Sequence, residues 1–210
     1  MNEYSSFNDF FTREFDEGVR PIDQTENTIV SPVDGKVMES GRVSDGKLFQ
    51  LKNMEYNLSD LLNKNPQLIE AFKDAFYVTI YLAPYNYHRV HIPYQGKLLH
   101  NEIIDGKTYK VNEQALRKID ALYTKNARQI SQFESSKVNY CMIMVGAMNV
   151  SSISITDKNK DVYNKGDEFA HFNLGSTVLM LFSGSENIKF PDGLRFGEKI
   201  KLGECIAKFR

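Results

Sequence analysis

The stretch Phe172-Asn173-Leu174-Gly175-Ser176-Thr177-Val178-Leu179-Met180-Leu181-Phe182 decides how this chain is read. A run of apolar residues rich in strand formers follows a Gly-Ser peptide, and another short apolar segment precedes it. On its own a Gly-Ser pair is a turn. Pinned at the head of a buried strand it becomes a place for chemistry, because a base that reaches the Ser176 hydroxyl lets it attack the carbonyl carbon of Gly175.

Two other segments supply what such an attack needs. Tyr81-Leu82-Ala83-Pro84-Tyr85-Asn86-Tyr87-His88-Arg89-Val90-His91-Ile92-Pro93 carries two of the four histidines, three residues apart. Ser31-Pro32-Val33-Asp34-Gly35-Lys36-Val37 places one carboxylate in a tight turn. A hydroxyl, an imidazole and a carboxylate are the three roles of nucleophilic catalysis, in whatever order the chain presents them. Each has a plainer reading in isolation: Asp34-Gly35 as a hairpin turn, the histidines as inert. No third histidine or cysteine stands near His88 and His91, so no metal is expected.

These three segments together resemble the phosphatidylserine decarboxylase family. Phe10-Phe11-Thr12-Arg13-Glu14-Phe15 with Arg20-Pro21-Ile22 is similar to that family's N-terminal signature, and Val145-Gly146-Ala147-Met148 to a further block. The likeness runs from about Phe7 to the end, and five blocks in register say far more than one short motif. It implies a self-processing enzyme. His91 takes the Ser176 proton, Asp34 holds the imidazole tautomer, and the chain parts between Gly175 and Ser176. The products are a β chain, residues 1–175, and an α chain, residues 176–210, which stay together as a heterodimer, with a dimer of such pairs left open. Ser176 becomes a covalent pyruvoyl group, the electron sink for decarboxylating phosphatidylserine to phosphatidylethanolamine and CO2. His88 is the residue the resemblance gives to the decarboxylation step. Arg13 and Arg20 match family positions, with pairing to carboxylates or capping of carbonyls as their simpler roles.

The chain departs from the family pattern at Asn86, where Asp is commoner, at Ser151-Ser152, and at Ala170 and His171. Two alternatives stay open: a relative acting on a soluble amino acid, and an uncut, non-enzymatic β domain that binds lipid or a partner.

The chain has 210 residues, 41% of them hydrophobic, enough for a sizeable core in a single domain spanning 1–210. The net charge of −1 points away from nucleic acid. Cys141 and Cys205 are too few for a disulfide framework, and Cys141 reads as a buried small hydrophobe rather than a nucleophile. No signal peptide or spanning helix is legible, so a peripheral position on the cytoplasmic face of a membrane is expected.

Short alternating runs broken by Asp34-Gly35, Ser40-Gly41 and Asp45-Gly46 predict consecutive strands between Thr28 and Leu51. Further strands are predicted over 76–82, 96–104, 108–111, 129–133, 138–145, 150–156 and 177–182. Ser6 predicts a helix cap, with Phe7, Phe10, Phe11 and Phe15 forming an inward apolar face. Leu58 to Ala75 predicts two helices, the first capped by Ser59 and the second opened by Pro66, and 114–123 a helical turn. The expected fold is mainly β (α+β), a sandwich or barrel-like core of antiparallel strands with a few short peripheral helices.

Overall fold

The computed structural model describes residues 4–50, 54–147, 153–173, 175–191 and 194–210. Met148, Val150 and the Ser151-Ser152 departure, with Leu51 and Leu174, lie outside them. In chain order the strands are β1 (Thr28–Val30), β2 (Gly35–Arg42), β3 (Lys47–Gln50), β4 (Met54–Asn57), β5 (Phe76–Leu82), β6 (Arg89–His91), β7 (Gly96–Ile104) and β8 (Arg128–Glu134). There follow β9 (Tyr140–Gly146), β10 (Ile153–Ile155), β11 (Val162–Tyr163), β12 (Glu168–Phe172), β13 (Ser176–Phe182), β14 (Ile188–Lys189), β15 (Lys199–Ile200) and β16 (Cys205–Phe209). The helices are short: α1 (Phe7–Phe11), α2 (Leu58–Leu61), α3 (Pro66–Phe72), α4 (Glu113–Leu116) and α5 (Leu122–Lys125).

Eight strands form one antiparallel sheet in the order β11-β7-β8-β9-β13-β5-β2-β15. It stays open, with β11 and β15 at its edges. Two three-stranded sheets, β1-β16-β14 and β10-β12-β6, contribute with Phe11 of α1 to the core on one face, and α2–α5 with the β3–β4 hairpin to the core on the other. β13 shows why its sequence is apolar from Val178 onward. Val178, Met180 and Phe182 join the core with Ile29, Phe169 and Phe172, while Leu179 and Leu181 join the core with Leu58, Leu68 and Phe72. A strand covered on both faces has no polar side to show.

The strands predicted over 76–82 and 96–104 are found with those limits. Residues 108–111 are not a strand. Ser40-Gly41 is not a turn but lies inside β2. Gly41 is glycine there because Tyr77 crosses it: a Cβ would sit 3.1 Å from the Tyr77 hydroxyl oxygen. The first helix ends early. Ser6 Oγ accepts the Asp9 N–H as a cap, but α1 stops at Phe11. Only Phe11 (1% exposed) reaches the core; Phe7 is 62% exposed and Phe10 lies at the surface. Five residues make little more than one turn, too few for an inward stripe of four rings. At the next helices the caps are Asn57 and Asn65, whose side chains accept the N–H groups of Ser59 and of Gln67 and Leu68. Left-handed Asn63 and Lys64 separate α2 from α3. Cys141 is fully buried, and burial pushes its thiol well up.

Candidate functional site

Ser176 is the first residue of β13. Its backbone pairs with Leu82 of β5 on one side and Gly146 of β9 on the other. The residue is completely buried, yet Oγ makes no hydrogen bond. A buried hydroxyl without a partner is costly unless something else uses it. Gly175 before it has φ +44°, and a Cβ there would come within 2.8 Å of the Ala147 Cβ. Glycine is required twice over, by backbone angle and by space.

Two loops frame this peptide. One leaves β5 after Leu82, the neighbour of Ser176, and carries His88 into β6. The other leaves β12 after Phe172 and runs into Ser176. They are tied where the Phe172 N–H donates to the His88 carbonyl, 2.9 Å. His88 is fully buried and stacked on Phe11, ring centres 3.7 Å apart. Neither ring nitrogen has a hydrogen-bond partner. Burial, with a smaller push from Arg13, holds its pKa down to about 4, so the ring is neutral.

His91, three residues on in extended chain, faces elsewhere. Its Nδ1 lies 2.8 Å from the Gly166 carbonyl oxygen. A carbonyl can only accept, so Nδ1 carries the hydrogen and Nε2 keeps its lone pair. Nε2 faces the Tyr87 hydroxyl at 3.4 Å. Burial lowers the His91 pKa as well, the Gly166 contact opposing it. A cavity of about 170 Å³ opens beside the ring, with Phe15, Arg20, Tyr87, Gly166 and Leu202 among its walls.

Asp34 is buried in the turn ahead of β2. Arg20 grips it with a fork, Nε to Oδ1 at 2.8 Å and Nη2 to Oδ2 at 2.6 Å, and the Leu202 N–H donates to Oδ1 at 2.9 Å. The tautomer-fixing contact expected between Asp34 and His91 is made by Gly166 in this structure, because Arg20 and Leu202 occupy the carboxylate. Asp34 meets the His91 cavity through those two residues, both of which line it. Arg13 takes the simpler of its two roles, donating to the carbonyls of Phe10, Tyr85 and Asn86.

Ser176 heads β13 and His88 sits on the loop that leaves β5 beside it, while Asp34 and His91 are linked at a second place, through the Arg20 and Leu202 walls of the His91 cavity. Sequence reading missed Gly166 and gave Tyr87 and Phe11 no part in the site, whereas Ala147 lies in the Val145-Gly146-Ala147-Met148 block that it did single out. Tyr87 stood next to His88 and was available to notice. A carbonyl such as that of Gly166 carries no side-chain identity, so no letter in the sequence marks it. A fourth histidine, His171, pairs in register with Arg89, and its Nδ1 is buried without a partner.

The chemistry that a glycine-preceded serine with a free hydroxyl can do is base-assisted attack on the peptide before it, given a histidine as the base. A family model described as phosphatidylserine decarboxylase matches residues 7–208. A protein of Shewanella amazonensis named phosphatidylserine decarboxylase proenzyme is 36% identical over 226 residues, covering 98% of this chain and 79% of that one. Proteins of the same name from Psychrobacter arcticus (34% over 220 residues; 99% and 79%) and Acinetobacter baylyi (38% over 219; 98% and 76%) are similar to the same extent.

Proposed function

The chain belongs to the phosphatidylserine decarboxylase family, and from that membership we propose that it cuts itself between Gly175 and Ser176 and then converts phosphatidylserine to phosphatidylethanolamine and CO2. The observation that carries this reading is the Ser176 hydroxyl, buried and unpartnered at the head of a strand, behind a glycine in the left-handed region.

In maturation, His91 Nε2 takes the Oγ proton while Oγ bonds to the Gly175 carbonyl carbon. The amide C–N bond breaks and its nitrogen takes up the proton. Loss of the 176 Cα proton with cleavage of Cβ–Oγ then frees the Gly175 carboxylate, and water replaces nitrogen at the 176 Cα, releasing ammonia. The Gly166 carbonyl holds His91 in the tautomer this needs. Asp34 acts as a positioning residue, through Arg20 and Leu202, on the walls beside His91.

The residues present suit a pyruvoyl group at 176: its precursor oxygen is buried and unclaimed, behind a glycine in the left-handed region. Such a group would supply an electrophilic carbonyl, the electron sink that a decarboxylation needs. His88, neutral and unpartnered on the loop that leaves β5 beside Ser176, is the residue for the substrate carboxylate or the returning proton. Chains 1–175 and 176–210 remain one heterodimer, since β13 is hydrogen-bonded on both sides and β16 pairs with β1.

Among the described residues no helix is long and apolar enough to cross a membrane. Contact with the bilayer surface falls to α1. Tyr4, Phe7 and Phe10 line an open cavity of about 480 Å³ on its outer face, while Phe11 on its inner face covers His88. An aromatic platform over the reactive centre suits a lipid substrate.

Intact mass after denaturation tests the first half. Wild type is expected as two chains, Ser176→Ala and His91→Ala as one. His88→Ala is expected to cut but to form no phosphatidylethanolamine. A His88→Ala chain that stays whole beside a His91→Ala chain that cuts would reverse the assignment.

A further inference from the structure

The N-terminal segment does more than cover His88. Every residue from Phe11 to Phe15 touches the stretch from Tyr85 to Arg89. Phe11 stacks on His88, and Phe15 on Tyr87 with ring centres 4.2 Å apart and planes 13° from parallel. The Thr12 carbonyl accepts from Arg89 Nε at 3.1 Å, and Glu14 pairs with Arg89 Nη2 at 3.0 Å. Between the two rings, Arg13 Nη2 donates to the carbonyls of Tyr85 at 3.1 Å and Asn86 at 3.2 Å.

That stretch belongs to the loop that leaves β5 at Leu82, the register partner of Ser176. The far end of the loop is tied where the His88 carbonyl accepts the Phe172 N–H, on the chain that runs into Gly175. Its near end closes on itself. The Asn86 N–H donates to the Ala83 carbonyl and Asn86 Oδ1 accepts the Ala83 N–H, each at 2.8 Å. Pro84 and Tyr85 at the tip are exposed, and Arg13 ties this projecting turn back to the N-terminal segment.

Arg13 is itself held. Its guanidinium lies 4.6 Å from the centre of the Phe10 ring and 5.8 Å from that of Phe15, and Nη1 donates to the Phe10 carbonyl at 3.0 Å. A planar fork set between rings and carbonyls is not copied by a lysine. It also acts on the His88 ring. Its charge lowers the pKa there, and the Asn86 carbonyl that it grips is the group that raises it. The other polar groups beside the ring are engaged elsewhere: Arg89 by Glu14 and Glu168, the Tyr87 hydroxyl by His91. Phe11, packed on the ring, carries no charge.

We propose that Arg13 is a positioning residue for decarboxylation: held by Phe10 and Phe15, it fixes the backbone at Tyr85 and Asn86 and so sets where the His88 ring stands. With both ends of the loop pinned, slack at its tip passes to His88. The assignment rests on the reading that His88 serves decarboxylation. Cutting belongs to His91 in that reading, so the two activities separate a displaced His88 from a general loss of structure.

The test is Arg13→Lys, Arg13→Gln and Arg13→Ala, with cutting followed by mass. Turnover is measured on short-chain phosphatidylserine dispersed as monomers, so that contact with a bilayer does not enter. Expected are complete cutting in all three, KM within about twofold of wild type, and kcat lower by about tenfold or more, Arg13→Lys included. Added methylguanidinium is expected to restore part of the kcat of Arg13→Ala. The acidic limb of kcat is expected at higher pH in Arg13→Gln, because the charge that lowers the His88 pKa is gone, and unmoved in Arg13→Lys. Unchanged kcat in all three overturns the assignment. So does a raised KM with kcat intact, which would make the segment part of the lipid site. A fall in kcat that methylguanidinium leaves as it is, with the acidic limb unmoved, overturns it too, since lost packing alone would account for it. A variant that stays uncut is replaced by Phe10→Leu, which strips the nearer ring from the guanidinium at the surface. A kcat lower by about threefold at unchanged KM is then expected, and an unchanged kcat overturns the proposal. Wild type inert toward phosphatidylserine, or His88→Ala that still releases CO2, would sink the underlying reading instead.

Discussion

At the scale of single residues, His88 makes acid stability a readout of the site. Its native pKa is about 4, whereas a free imidazole titrates near ~6.5. Between those values the unfolded chain binds a proton that the native ring refuses, so stability rises with pH across the window and is lost as pH falls through it. The full shift is worth about 3 kcal/mol. His91 is shifted in the same direction and adds to the slope. Urea midpoints of uncut Ser176→Ala are expected to fall between pH 7 and pH 4.5, and adding His88→Gln to flatten that fall. An identical slope in both proteins would count against a neutral buried His88. Gly175→Ala is expected to cost about 1–2 kcal/mol for its backbone angle alone and to slow cutting; Ala147→Gly should recover the part due to the 2.8 Å contact. Time courses of cleavage by mass check both. The residues that carry the proposed chemistry were legible because each sits in a short block with its own signature. Their partners were not. Gly166 stands 75 residues from His91, and the Arg20 fork on Asp34 closes only when the N-terminal segment folds back.

Elements differ in how far their sequences foretell them. β13 was readable from an unbroken apolar run, and β5 and β7 from their bounding turns. α1 was readable at its cap and misread along its face, because periodicity shows which rings align and not which way they point. Phe11 and Phe7 therefore make opposite predictions. Phe11→Ala empties a packed position against His88 and is expected to cost about 3–5 kcal/mol and most decarboxylation. Phe7→Ala should leave stability within ~0.5 kcal/mol, since the ring is already in solvent. It is nonetheless expected to weaken sedimentation with phosphatidylserine vesicles, and unaltered sedimentation would remove α1 from the membrane contact.

For the whole molecule, the sequence supported a β-rich core but not its layering. Apolar runs without alternation say that both faces of a sheet are covered; they do not say that the small sheets and α1 cover one and α2–α5 the other. Strand order is further out of reach, since β13 finds its neighbours β5 and β9 across long separations that turn signals do not encode. That order bears on what the cut leaves behind. Native size-exclusion of processed protein is expected to give one species and denaturing conditions two, the smaller of 35 residues, 176–210. Free small chain at neutral pH without denaturant would contradict the sheet's hold on β13.

The proposed scission at the head of a doubly flanked strand would also change how the protein recovers from unfolding. The precursor renatures as a single polymer, at a rate indifferent to dilution. After scission the same pairing has to be found by diffusion between separate molecules, so thermal midpoints rise with concentration. A liberated strand has two bare edges for any stranger it meets first. Uncut Ser176→Ala is therefore expected to refold after heating more completely than cut protein at the same concentration.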